Sequence, residues 1–356
     1  MSRFNGAVAA VVGSVVVCAC QQQATVAAHP SAPPPAAAPA TAAQASSLSA
    51  AAAATMNAVN AANWSEAPAK PASAGALDPV LLRAEVLLDR GRFSPGVIDG
   101  QAGQNLRGAI GAWRSAHGLS AGGELSGDMW TALTADKEPA LGTYVILPAD
   151  VAGPFIGAVP KGFEAMSKLE TLGYTSPQQV IADRFHMSEA LLQKLNPGVD
   201  FTRPGTMLIV ANPGIKDLSA RIARIEVDKG KAQLRAYDEG DHLLAVYPAT
   251  VGSDERPSPT GEFKVLGVAR NPTYHYDPAR LSFGHIGRKL SIAPGPNNPV
   301  GLVWIALSLP TYGIHGSPDP EVVGKTASHG CVRLTNWDAQ ELAASVRPGV
   351  RVVFTT

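Results

Sequence analysis

The sequence has no charge surplus, few aromatic residues and almost no cysteine, and its N-terminal apolar run is too short to span a bilayer. Each shortage excludes something. The 29 basic and 29 acidic residues cancel, which argues against a nucleic-acid binder, since such proteins need a clear basic excess. Aromatic residues make up only 6% of the chain, with Ala, Gly and Pro abundant in their place. That skew comes mostly from one stretch, so the average misdescribes the folded parts. The apolar run from Gly6 to Val17 has 12 residues, too few for a membrane-spanning helix, which takes about 20, but suited to the core of a secretory signal. At 356 residues the chain has room for two or three domains.

The three cysteines are Cys18, Cys20 and Cys331. The run Val17-Cys18-Ala19-Cys20-Gln21 resembles a bacterial lipoprotein signal, with an aliphatic residue three before the lipidated cysteine and a small one just before it. The resemblance implies a signal peptide over residues 1–20 and a lipid on Cys20. It also implies anchorage in the periplasm, at an outer membrane if Gln21 acts as the sorting residue. The alternative is an ordinary signal cut near Ala27 or Ala28. With Cys18 removed and Cys20 lipidated, Cys331 is the lone thiol of an exported protein, where structural cysteines come in pairs. It needs another reason to be there.

Composition divides the rest. Residues 21–75, rich in Ala, Pro, Ser and Thr, offer little apolar bulk and read as a disordered tether. From residue 76 to 138, Asp78-Pro79 opens a helix with Leu81, Leu82, Val86 and Leu87 at helical spacing. A turn-rich Phe93–Gly100 and helices through Trp113 and Trp130 follow. This resembles a three-helix peptidoglycan-binding domain, with both tryptophans read as core. Residues 140–213 place two short helices between strands near Tyr144–Leu147 and Met207–Val210, which resembles a LysM-type wall-binding module. From 220 to 356 short alternating strands separated by turns, with one late helix near Asn336–Ser345, predict a mainly-β sandwich or barrel. The expected fold is a multidomain α+β protein.

The chemistry concentrates in Tyr312-Gly313-Ile314-His315-Gly316-Ser317 and Ser328-His329-Gly330-Cys331-Val332-Arg333. Thiol nucleophiles need a base within hydrogen-bond reach and a loop open to a carbonyl. Gly330 removes a side chain where substrate must approach. Backbone N–H groups around Gly330 and Cys331 are candidates for an oxyanion pocket. A zinc site from His315, His329 and Cys331 lacks the spacing that marks such sites, so no metal is expected.

These segments, in this order and preceded by Arg256-Pro257-Ser258-Pro259-Thr260-Gly261-Glu262-Phe263, resemble the catalytic domain of the L,D-transpeptidases over about residues 221–355. The resemblance implies that Cys331 attacks a donor stem peptide, releases its terminal D-alanine and forms a thioester, with no cofactor. It implies His315 as general base and an orienting or binding role for His329. Gly316 and Ser317 would orient the imidazole or line the substrate site with Ser328 and Tyr312, and Arg333 would pair a substrate carboxylate. Alternatives stay open at this point: His329 as the base, or Arg333 as a surface cation paired with Asp338. The acceptor is also open, giving a transpeptidase that forms 3-3 cross-links or attaches a lipoprotein to the wall, or a hydrolase using water. A non-catalytic lipoprotein gripping the wall is the third possibility. The expected partners are peptidoglycan stem peptides, a membrane through the lipid, and a wall-attached lipoprotein.

Overall fold

The computed structural model describes residues 47–66, 76–214, 218–253, 257–278, 287–328 and 330–356. Cys20, the signal region 1–20 and His329 lie outside the described residues. The described residues all belong to one unit, Gln44–Thr356.

Within the tether expected over 21–75, the described residues 47–66 carry a helix instead. Helix α1 (Ala50–Ala61) begins where Ser49 accepts from the Ala52 N–H at 3.1 Å. No proline falls between Pro39 and Pro68, and the run between them is rich in Ala, the best helix former. Val59 is fully buried. Asn60 exchanges two hydrogen bonds with the Leu141 backbone, at 3.0 and 2.8 Å, and Trp130 Nε1 donates to Asn63 at 2.6 Å.

Helices α2 (Pro79–Arg90), α3 (Gln104–Ala116) and α4 (Gly127–Leu133) follow. Asp78 caps α2 by accepting from the Val80 and Leu81 N–H groups, with Pro79 in the first turn where its missing donor costs nothing. The turn after α2 is organised from below by Glu85, 2% exposed, which accepts from the Asp99 and Gly100 N–H groups at 3.2 and 2.8 Å. Trp113 and Trp130 are both buried.

Strand β1 (Leu141–Val145) pairs antiparallel with β2 (Met207–Ala211). Between them come α5 (Phe163–Met166), α6 (Pro177–Arg184) and α7 (Glu189–Leu195). Asn196, where α7 stops before Pro197, ties helix to sheet. Its side chain bonds the Leu192 carbonyl and both backbone groups of Ile209.

The C-terminal part is one eight-stranded sheet that curls on itself. Its strands are β3 (Arg224–Asp228), β4 (Gln233–Tyr237), β5 (Leu243–Pro248), β6 (Gly261–Arg270), β9 (Val303–Leu307), β10 (Gly313–His315), β11 (Val332–Arg333) and β12 (Arg351–Thr355), with helix α8 (Asn336–Ser345) before the last. Their order in space is β11-β10-β9-β6-β12-β3-β4-β5. A separate hairpin, β7 (Tyr274–Tyr276) and β8 (Leu290–Ile292), interrupts it. The core joins Ile225, Leu234, Val303, Ile305, Ile314, Val332 and Val352 with Leu342 of α8. Each such side chain stabilises by about 1.5–3 kcal/mol on burial.

A short segment after α2 helps stitch the expected units together. Ser94 N–H donates to Val246 and Val246 N–H to Arg92, which adds the turn after α2 to the free edge of β5. Ile98 bridges to Met187 in the same way, tying that turn to the loop between α6 and α7.

Candidate active site

Strands β10 and β11 run parallel, with Ile314 opposite Val332 and His315 opposite Arg333. Ile314 and Val332 are both fully buried in the core. Side chains alternate with period two along a strand, so His315 and Arg333 share the other face. Cys331 stands just before β11, where the Gly313 N–H and the Arg333 charge both act on its thiol. Neighbouring strands are about 4.8 Å apart, so the register sets imidazole and guanidinium side by side, with Cys331 one residue before β11. From β9, Trp304 pairs with His315 and stacks on it, ring centroids 5.5 Å apart.

His315 is 4% exposed and its Nδ1 lies 2.7 Å from the Gly316 carbonyl. A carbonyl only accepts, so Nδ1 donates and carries the hydrogen, which leaves Nε2 with a lone pair to take a proton. Burial disfavours the imidazolium and brings the pKa down to about 4; the Gly316 carbonyl opposes this, and the Arg333 charge adds to it. Cys331 is half-buried and is the only free cysteine among the described residues. Burial raises its thiol above the usual value, against the pull of the Gly313 N–H and Arg333. The sulfur donates to the Thr311 carbonyl at 3.7 Å. Thr311 has φ +69°, which a β-branched residue rarely adopts. The resting site therefore holds a neutral thiol and a neutral imidazole, and a proton must move as the sulfur attacks.

The nucleophile loop is held by two serines. Ser328 Oγ donates to the Cys331 carbonyl at 2.6 Å and accepts from the Gly330 N–H at 3.0 Å. Ser258 Oγ donates to the Gly330 carbonyl and accepts from the Gly252 N–H, both at 2.8 Å. Gly330 has φ +116°, and a Cβ there would stand 2.9 Å from the Tyr312 ring. Only glycine fits this position with Tyr312 in place.

These bonds sort the expected roles. Ser328 and Ser317, expected to line the substrate site, are 3% and 4% exposed. Ser328 shapes the loop, and Ser317 closes the next turn with Asp319 Oγ-to-carbonyl and N–H-to-Oγ bonds of 3.0 and 3.3 Å. Gly316 supplies the carbonyl that orients His315, and a Cβ there would strike the Asn336 side chain. The Gly330 N–H is already taken by Ser328, so it is not the oxyanion donor expected of it.

Arg333 is half-buried, with its backbone paired to Thr250 by two 2.9 Å bonds. Asp338, its alternative partner, is 3% exposed and accepts from Ser94 Oγ at 3.1 Å instead. Burial lowers the guanidinium pKa, while Cys331 and Tyr274 raise it. Tyr274 on β7 is the residue that sequence reasoning passed over. Its phenol is pushed up to about 12, by burial first and then by Cys331 and Tyr276, with Arg333 opposing. It lies on the hairpin that interrupts the sheet, where two histidines are also found. His275 is exposed and bonds Ser291 at 3.2 Å; His285 lies outside the described residues. Ser258 was visible inside its Pro-Ser-Pro motif, but nothing local marked its hydroxyl as a clamp on a loop 72 residues away.

The family model for the L,D-transpeptidase catalytic domain, YkuD, matches residues 222–354. The protein named "Putative L,D-transpeptidase YkuD" in Bacillus licheniformis is 33% identical over 178 residues, 50% of this chain and 92% of that one. "Probable L,D-transpeptidase YbiS" of Escherichia coli is 30% identical over 191 residues, 51% of this chain and 61% of that one. The crystal structure of an L,D-transpeptidase from Xylanimonas cellulosilytica aligns with a TM-score of 0.36 at 17% identity, covering 82% of this chain and 100% of that one.

Proposed function

Since the chain belongs to the L,D-transpeptidase family, we propose that it remodels peptidoglycan through a thioester on Cys331, with His315 as general base. The observation that carries this is the pairing of His315 with Arg333, with Cys331 just before β11 under the Arg333 charge, together with the Nδ1 bond to Gly316 that leaves Nε2 open. In the first step the Cys331 sulfur attacks the diaminopimelate carbonyl of a donor tetrapeptide while Nε2 of His315 takes the thiol proton. The oxyanion is assigned to the N–H of Cys331, because that of Gly330 is engaged. As the tetrahedral intermediate collapses, the C–N bond breaks. The imidazolium returns its proton to the departing D-alanine amine, leaving a thioester. An acceptor amine then attacks the thioester carbonyl and loses its proton to His315, and the thiol is restored.

The acceptor in this proposal is a second stem peptide, giving a 3-3 cross-link, or the amine of a lipoprotein. Arg333 pairs the donor carboxylate. The proposal extends to the N-terminal parts: residues 76–138 and 140–213 grip the wall, and a lipid on Cys20 holds the protein in the periplasm. Support there comes from composition and motif alone. Purified protein incubated with tetrapeptide-stem muropeptides should yield a cross-linked dimer and free D-alanine by mass spectrometry, and Cys331→Ala should yield neither. A lone tripeptide product would make the protein a hydrolase. An acyl adduct on Cys331→Ala would remove Cys331 as nucleophile.

A further inference from the structure

The connection between β1 and α6, residues 146–176, is long for a unit of this size, and its middle reaches the hairpin beside the active site. Phe163, the first residue of α5, lies against two tyrosines of β7, with ring centroids 5.5 Å from Tyr274 and 5.3 Å from Tyr276. The two tyrosines alternate with His275 and so share one face of the hairpin. Glu164 pairs with Arg288 at 2.5 Å. Farther along, the Leu172 N–H donates to the Pro294 carbonyl and the Leu172 carbonyl accepts from the Asn297 N–H, both at 2.9 Å. Asn297 Nδ2 donates to the Gly173 carbonyl at 2.7 Å. Gly295 has φ +144°, and a side chain there would run into the Leu172 backbone.

Hairpin β7–β8 is a sheet of its own, outside the eight-stranded one. Two strands alone are marginal in water, so such a hairpin takes its position from what packs on it. The Glu164–Arg288 pair is more than half exposed and contributes little. The aromatic contact and the Leu172 backbone bonds hold the hairpin. Tyr274, on that hairpin, lies close enough to Cys331 and Arg333 to interact with both.

We propose that Phe163, backed by the Leu172–Gly173 backbone, is a positioning residue that holds Tyr274 against the Cys331–Arg333 site and so sets affinity for the stem peptide. The wall-facing unit thereby shapes the catalytic site directly. This rests on the function proposed above, and its test separates the two.

The full chain, Phe163→Ala and Phe163→Tyr are compared by steady-state kinetics on tetrapeptide muropeptides and by hydrogen–deuterium exchange. The removed ring contact should raise KM about three- to tenfold, with kcat within about twofold of wild type. Exchange should accelerate at Tyr274–Tyr276 and Leu290–Ile292 but not in β9 or β10, and Phe163→Tyr should restore both. Unchanged exchange in the hairpin, acceleration spread evenly over the catalytic sheet, or an unchanged KM would overturn the proposal. If the wild-type chain does not turn over stem peptides, the functional proposal fails, while the exchange data still decide whether Phe163 holds the hairpin.

Discussion

At the scale of single residues, the site is defined by protons that burial has displaced. His315 prefers to be neutral because its ring is nearly sealed from water, and Cys331 prefers to keep its hydrogen for the same reason. This predicts a particular pH behaviour. Alkylation of Cys331 by iodoacetamide should keep rising past pH 9, since burial raises the thiol above its ordinary 9.0. A plateau between pH 5 and 8 would mean a preformed thiolate–imidazolium pair and would contradict the neutral resting state. Turnover should fail on the acid side only as pH drops through about 4, where His315 gains a proton and can no longer accept one. Stability carries the same sign. The unfolded imidazole titrates near 6.5 and the folded one near 4, so below 6.5 the unfolded chain binds the extra proton, and stability is lost as pH falls through that window. Circular-dichroism melts of the wild type and His315→Gln across pH 4–7 measure it: the wild type should lose stability over the window relative to the variant.

At the scale of elements, the catalytic strands depend on the start of α8. The chain passes from β11 through Leu334 and Thr335 into that helix, and the Leu334 N–H donates to the His315 carbonyl at 2.8 Å. Thr335 caps the helix by accepting from the Asp338 N–H. Asn336 then reaches back: Oδ1 accepts from the Leu302 N–H at 3.0 Å and Nδ2 donates to the Pro296 carbonyl at 3.1 Å. The same amide fills the space that side chains at Gly301 and Gly316 would need. Asn336→Ala strands a buried N–H and carbonyl and leaves a void beside the carbonyl that orients His315. It should destabilise the protein by about 1–3 kcal/mol in urea unfolding and lower kcat as well. An unchanged urea midpoint would show that Asn336 is dispensable to this corner.

At the scale of the whole molecule, a buried polar network joins all three expected units. Asp89 of α2 meets His186 Nδ1 at 2.8 Å, and the His186 ring stacks on Trp337 of α8 at 5.0 Å. Ser94 reaches Asp338, and Arg92 and Tyr247 both reach Glu341, at 2.5 and 2.8 Å. Burial and the nearby Asp89 hold the Asp338 carboxyl well above the usual range. The described units thus share groups whose partners lie in one another, and they should unfold together. Asp89→Ala leaves His186 buried with its Nδ1 partner removed, which costs about 1–3 kcal/mol. Calorimetry should show one transition moved down by a few degrees; a split into two would mean the units are independent.

What local sequence could establish was whatever depends on residues close together in the chain. The cap at Asp78, the helices through Leu82 and Trp113, and the paired Gly-flanked segments around His315 and Cys331 were all legible, because caps, periodicity and turn glycines act over a few positions. Nothing local marks His186, and Ser94 reads as part of a turn. Both turned out to be buried links, since their partners Asp89 and Asp338 stand 97 and 244 residues away. Tyr274, the Ser258 clamp and the Phe163 contact were hidden for the same reason. Burial had to be known before the protons of His315 and Cys331 could be assigned, and burial is a property of the packed chain. The sequence alone determined which atoms can react; only the tertiary structure decided which protons they hold, which hydroxyls are left for substrate, and which distant unit sets the shape of the site.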